Sequence, residues 1–248
     1  MSPTLVIIPA FNEADALPAA LDRLRSVRPD VDIVVVDDGS SDDTALLARA
    51  AGAVVISLPY NLGLGGALRT GFRYAVRHGY DRAVQFDGDG QHEAAAIETL
   101  EAQLDAGADL AIGSRFAQSD SYDVGAARGG AMGILRVLVR LLTGRRFTDT
   151  TSGFRGFSAP MLAFFAVHYP VEYMESVEAL ILADGAGFDV REVPVQMHER
   201  HGGRASTRGL RLAYHFFRVL VVMVVSKGAM RRPGLPGAAS SVPGGARE

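Results

Sequence analysis

The sequence has no cysteine. Disulfides, thiolate zinc sites and a cysteine nucleophile are therefore excluded, and the absence suits a reducing compartment. A basic excess is missing as well: 25 Lys and Arg face 28 Asp and Glu, for a net charge of −3. Dedicated nucleic-acid binders usually carry the opposite balance. The opening stretch, "MSPTLVIIPAFNE", has no basic flank, and its apolar run is too short for a signal peptide. It reads as a first strand, and the protein is expected to be cytoplasmic. No Ser-His-Asp or P-loop pattern occurs. His198 and His201 lie in a segment without helix signal and read as surface loop rather than metal ligands.

What is present is ordinary in bulk. The 248 residues, 48% hydrophobic and 21% charged, suit a globular chain of one large domain or two small ones. Apolar runs rich in β-branched residues, 5–8, 33–36, 54–58, 83–86 and 110–112, read as strands. They alternate with helix-period segments over 15–27, 43–51, 65–78 and 94–106. This order predicts an α/β fold with a mainly parallel central sheet flanked by helices, and ligands beyond the carboxyl ends of the strands. The polar, glycine-rich segments "PAFNE", "DDGSSDD", "YNLGLGG", "DGDGQH" and "GSRF" fall there. The rhythm changes after Arg115: 131–142 and 175–183 read as helices, "TDTTSGFRGFS" as loop then strand. In "FDVREVPV" the proline predicts an edge or terminal strand position. The tail 231–248, rich in Pro, Gly, Ala and Ser, is expected to be disordered.

The chemistry concentrates in "AVQFDGDGQHE". Two carboxylates separated by one glycine repel each other unless they share a proton or a cation. With oxygen donors and no thiolates, the fitting ions are Mg²⁺ or Mn²⁺. The alternative is a polar turn whose aspartates cap the next helix. Asp37 and Asp38 end another strand, placed to accept hydrogen bonds from a ribose or a base edge. Asp42 and Asp43 read as residues of a helix's first turn. "NLGLGG" resembles a phosphate loop only weakly. Leu68 replaces the third glycine of G-x-G-x-x-G and the motif follows the third strand, so nicotinamide-cofactor binding is not expected. Close packing of backbone at a strand-to-helix turn is the other reading.

Taken together, "VIIPAFNEAD", "IVVVDDGSSDDT", "NLGLGGALRTGF", "VQFDGDGQH", "IGSRF", "DTTSGFRGFS" and "EVPVQMHERHGGRAS" resemble inverting family-2 glycosyltransferases. Among these the set looks most like the dolichyl- or polyprenyl-phosphate mannose synthase branch, over residues 5–225. The resemblance implies a GT-A fold, a single Rossmann-like domain here spanning 1–205. It implies a metal, Mg²⁺ or Mn²⁺, on Asp87, Asp89 and Gln91, bridging the donor diphosphate. It places Pro9, Ala10, Glu13, Asp37 and Gly63 around the nucleotide of a nucleotide-sugar, with Asp38, Asn61, Arg69, Asp87 and Gly88 on the same donor side. Arg115 and Arg128 would meet the acceptor phosphate, with Asp89 the third catalytic residue, and Arg200 would lie near the donor phosphates. Relatives often carry G-x-S-K after that arginine. Here "GGRASTR" lacks the lysine, leaving Arg204 or Arg208 to replace it.

The implied reaction moves a hexose to polyprenyl or dolichyl phosphate at the cytoplasmic face of a membrane. A phosphate monoester, with a second pKa of about 6, is largely ionised near neutrality and needs no strong base. Arg208, Arg211, His215 and Arg218 form one stripe of a helix expected over 206–230. Its apolar run 219–225 is far short of the ~20 residues that span a bilayer. A helix lying on anionic lipid fits, as does packing on the core or on a partner, whether a small membrane protein or a second copy. "ILRVLVRLL", with Arg136 and Arg140 one turn apart, is a second such candidate. Three rivals remain at this level. A hydroxyl acceptor would need a base such as Asp149, Glu175 or Glu178. A nucleotidyltransferase would want a glycine-rich, basic loop where "PAFNEAD" has none. A non-catalytic scaffold would neither hydrolyse nor transfer a donor.

Overall fold

The computed structural model describes residues 3–88, 92–116, 133, 136, 137, 139–171 and 175–196. Seven strands form one sheet: β1 (Leu5–Ala10), β2 (Asp32–Asp37), β3 (Val54–Ser57), β4 (Arg82–Gln85), β5 (Leu110–Ser114), β6 (Arg155–Ser158) and β7 (Val190–Pro194). Their spatial order is β3-β2-β1-β4-β6-β5-β7. All neighbours run parallel except β6, which is antiparallel to both β4 and β5. The expected α/β fold with a mainly parallel sheet is the one observed. Pro194 ends β7 at the sheet edge, where its missing N–H costs no ladder bond.

Helices α1 (Leu17–Val27), α2 (Thr44–Ala50), α3 (Leu64–Arg77), α4 (Ile97–Asp105), α5 (Ala159–His168) and α6 (Glu175–Gly185) cover the sheet. The apolar runs sit between two helical layers, so both strand faces are buried. Along β1, Leu5 and Ile7 pack with Phe72 of α3 and Phe165 of α5. Val6 and Ile8 point the other way, onto Leu17 and Leu21 of α1 and Leu100 of α4. That explains why β1 reads as continuous apolar sequence rather than an alternation.

Local chemistry sets the helix ends. Pro18 lies in the first turn of α1, which starts two residues later than its periodicity suggests. The segment expected as one helix from Ala94 resolves into a 3₁₀ turn, Ala94–Ala96, followed by α4. Ser158 caps α5 by accepting the Met161 N–H. At Gly65 an added Cβ would lie 2.2 Å from the Pro170 carbonyl oxygen. The close-packing reading of "NLGLGG" is therefore correct at this position. Residues 133, 136, 137 and 139–143 are helical, in line with the expected 131–142 helix. The expected helix 206–230 and tail 231–248 lie outside the described residues.

Candidate active site

Because β1, β2, β4 and β5 share one direction, their carboxyl ends meet on one edge. Antiparallel β6 begins on that edge, so the preceding turn 149–154 arrives there too. Gln85 pairs in register with Arg155, and Arg155 with Ile112. The site motifs therefore converge although they come from distant parts of the chain.

On the β1–β2 side the two loops are laced together. The Asn12 N–H donates to Ser40 Oγ at 2.9 Å, and Asn12 Oδ1 accepts the Ser41 N–H at 2.8 Å. The Glu13 N–H donates to Thr44 Oγ1 at 2.8 Å. Asp42, read from sequence as a first-turn residue, accepts from the backbone N–H groups of Ala14 and Thr44 and from the Thr44 hydroxyl. Pro9 is half-buried and Ala10 buried at the end of β1. Asp37, buried, accepts the Ser40 N–H at 3.0 Å. Asp38 turns both oxygens onto the following loop, accepting from Leu62 N–H at 2.7 Å and Gly63 N–H at 2.8 Å. Burial pushes its carboxyl above the ordinary range, partly opposed by those two N–H groups and reinforced by Asp37. Asn61 Oδ1 accepts the Gly63 N–H. Arg69 Nε points to the Ala166 carbonyl at 3.5 Å, beside Arg73 Nε at 2.9 Å, at the end of α5.

At the exit of β4, Asp87 is partly exposed and its Oδ2 lies 2.9 Å from His92 Nε2. Gly88, the residue after it, is buried. Behind Asp87 is a buried polar layer. Arg155, with no exposed surface, donates to the carbonyls of Ser152 at 2.8 Å, Ser176 at 2.9 Å and Thr150 at 3.4 Å. Gln85 is buried with neither side-chain atom partnered among the described residues, as is the Tyr169 hydroxyl. Burial pushes the Glu175 carboxyl up; a hydrogen bond from the Ser176 hydroxyl and the Arg155 charge act in the opposite sense.

At the exit of β5, Arg115 grips Asp149 with Nε at 2.7 Å and Nη2 at 3.0 Å. Asp149 is wholly buried, while 26% of the arginine side chain stays exposed. Burial opposes ionisation of Asp149, yet the Arg115 hydrogen bond and charge, with N–H groups of Arg115 and Thr151, hold its carboxyl below the ordinary range. Glu192 of β7 steadies the turn by accepting the N–H groups of Thr148 and Asp149. Asp89, Gln91, Arg128 and Arg200 lie outside the described residues.

The profile described as glycosyl transferase family 2 matches residues 5–165. The chain belongs to this family. The glycosyltransferase is 33% identical to a polyprenol monophosphomannose synthase of Mycolicibacterium smegmatis, over 87% of this chain and 85% of that one. It is 34% identical to an undecaprenyl-phosphate mannosyltransferase of Micrococcus luteus, over 83% and 87%. In fold it is similar to glucosyl-3-phosphoglycerate synthase from Mycobacterium tuberculosis in complex with Mn²⁺, UDP and phosphoglyceric acid. That TM-score is 0.68 at 21% identity, covering 94% of this chain and 80% of the other. The likeness extends the GT-A description to the glycosyltransferase's single α/β domain.

Sequence reading located Asp37, Asp38, Asp87 and Arg115 at strand exits. It missed Asn12, Ser40 and Thr44, which lace the loops, and gave no weight to His92. The signal for the first three was the clustering of small polar residues in "FNEAD" and "DDGSSDDT", which local propensity alone does not pair.

Proposed function

We propose that the glycosyltransferase moves a hexose from a nucleotide-sugar to a polyprenyl phosphate, inverting the anomeric carbon and using Mg²⁺ or Mn²⁺. The names of the two bacterial relatives support a prenyl-linked phosphate acceptor. The mycobacterial structures, described with Mn²⁺ or Mg²⁺ and UDP, support the metal and a nucleotide-sugar. The observation that carries the reading is the Arg115–Asp149 pair. It leaves a partly exposed guanidinium, fixed in orientation, on the edge where Asp87 also sits. Its Nε–Nη2 edge is engaged by Asp149, and the permanent charge of its exposed part attracts phosphate oxygens.

Asp87 fits a hard cation: it offers oxygen at the open end of β4, with one oxygen already oriented by His92. Asp89 and Gln91 complete the donor set that the resemblance implies. A divalent ion bound there neutralises charge growing on the leaving diphosphate. Arg115 holds the acceptor, whose ionised phosphate oxygen forms the bond to the anomeric carbon as the bond to the diphosphate breaks on the opposite face. With the nucleophile already anionic, the protein's contribution is alignment and charge stabilisation. The reading also sets the enzyme against the cytoplasmic side of a membrane. Val137 and Leu141, one turn apart, are 57% and 69% exposed beside the exposed Arg140. Among the described residues no helix is long and apolar enough to cross a membrane.

A hydroxyl acceptor is the second reading, and Glu175 is the observation that favours it. Its carboxyl lies close enough to the site to feel the Asp87 charge, and a raised pKa suits a general base. Asp149 is engaged by Arg115 and does not serve that role. The test is a panel of nucleotide-sugars offered with undecaprenyl phosphate or 3-phosphoglycerate, with Mn²⁺ and with EDTA. Transfer to the lipid phosphate, lost in EDTA and retained by Glu175→Gln, is expected. Transfer to the hydroxyl acceptor alone, abolished by Glu175→Gln, would establish the rival.

A further inference from the structure

Among the described titratable side chains, His92 combines full burial, a carboxylate partner and no role in the reaction as proposed. The ring has 2% of its side chain exposed, and Nε2 stands 2.9 Å from Asp87 Oδ2. It stacks on Phe154 at 4.9 Å and 22°, with Phe86 at 5.5 Å. Nδ1 is buried and has no partner among the described residues. A hydrogen on Nδ1 would be an orphaned buried donor, so the tautomer protonated at Nε2 fits the geometry and donates to Asp87. Two aromatic neighbours fix the ring plane, and the ring fixes the carboxylate.

Gly153 packs against the same carboxylate. A Cβ placed on Gly153 would stand 2.9 Å from Asp87 Oδ2 and 3.2 Å from Gln85 Nε2, so bare backbone lies against the carboxylate. Phe154, the next residue, is the one that stacks on His92. Arg155 then anchors this turn through the Ser152 and Thr150 carbonyls. Chain from β4 and chain arriving at β6 thus meet at one carboxylate, the first with a hydrogen-bond donor and the second with a glycine.

We propose that His92 is a positioning residue: with Gly153 packed against the same carboxylate, it sets the orientation in which Asp87 meets the divalent cation. The inference rests on the metal reading above and deepens it. A carboxylate free to rotate would lose orientational entropy on each binding event, whereas a held one has already lost it. Partners of this kind behind a ligand typically change metal affinity 10–100-fold when removed.

The experiment titrates Mn²⁺ against the full chain by electron paramagnetic resonance, with UDP and separately with GDP, alongside melting curves without metal. His92→Phe keeps an aromatic ring between Phe86 and Phe154 and removes the donor. His92 also lines a small cavity with Ala20, Leu24 and Ala94. Mn²⁺ affinity should fall roughly 10–100-fold with metal-free melting close to wild type. His92→Gln, whose amide nitrogen reaches about as far as Nε2, should recover most of the loss. Gly153→Ala, whose methyl group would crowd the carboxylate, should weaken Mn²⁺ in the same sense. Wild-type Mn²⁺ affinity in His92→Phe would overturn the inference while leaving the metal reading intact. A wild-type chain that binds no Mn²⁺ with either nucleotide would overturn both.

Discussion

Arg115 and Asp149 hold each other across the exit of β5, and the carboxylate is the buried member. Replacing Asp149 with Asn removes the charge at nearly constant shape and leaves the guanidinium without its fixed direction. The loss should be about 1.5–3 kcal/mol, the worth of a hydrogen bond to a charged group. It should fall below the roughly 3–5 kcal/mol of a wholly buried pair, because water screens the exposed part of Arg115. The folded-state carboxyl lies below its ordinary value. The pair's contribution is therefore complete above about pH 4 and is lost as pH falls through the folded value. Denaturation of wild type and Asp149→Asn across pH 2–8 should give curves that separate at neutrality and converge in acid. A constant gap would mean that the carboxylate stabilises through packing rather than charge.

Helix α3 carries Gly65 in its first turn, and there is no room for a side chain where it meets the turn after α5. Gly65→Ala would drive a methyl into the Pro170 carbonyl and the Val171 backbone, neither of which swings aside as a flexible side chain does. Overpacking of this kind should cost roughly 1–3 kcal/mol. Neighbouring Leu64→Ala, at an exposed position, should stay within about 0.5 kcal/mol of wild type in urea denaturation. Equal effects would remove the packing explanation. This contact was half legible: "NLGLGG" announced a close approach without saying to what. The parallel strands were legible because burial on both faces leaves unbroken apolar runs, as in "LVIIPA" and "DIVVVD". β6 was harder, since four residues, "RGFS", carry little periodicity and their antiparallel pairing is decided by chain some 70 residues earlier. His92 was overlooked for the same reason. Its meaning comes from Phe154, which sequence spacing does not place beside it.

Over the whole molecule, the exposed pair Val137 and Leu141 sits outside either core cluster, next to Arg140. If this face lies on lipid, Val137→Glu with Leu141→Glu should weaken co-sedimentation with anionic vesicles, and salt should weaken the wild type. Melting should not change, because neither side chain is buried. Binding indifferent to both would leave residues 206–230 as the remaining candidate surface. The position of β6 has another effect, on the order of synthesis. The chain emerges from its amino end, so β1 to β4 can pair as a four-strand unit while the rest is still being made. β5 cannot join them, because its only route to β4 runs through β6, which ends 44 residues later. At about 5–20 residues per second, that leaves β5 waiting roughly 2–9 s on the ribosome, and the open edge of β4, complete 73 residues before β6 ends, roughly 4–15 s. The half expected to bind the nucleotide can thus mature before the half that carries Arg115, and a nascent chain stalled in that interval would present the open edge of β4 and an unpaired β5 to other chains.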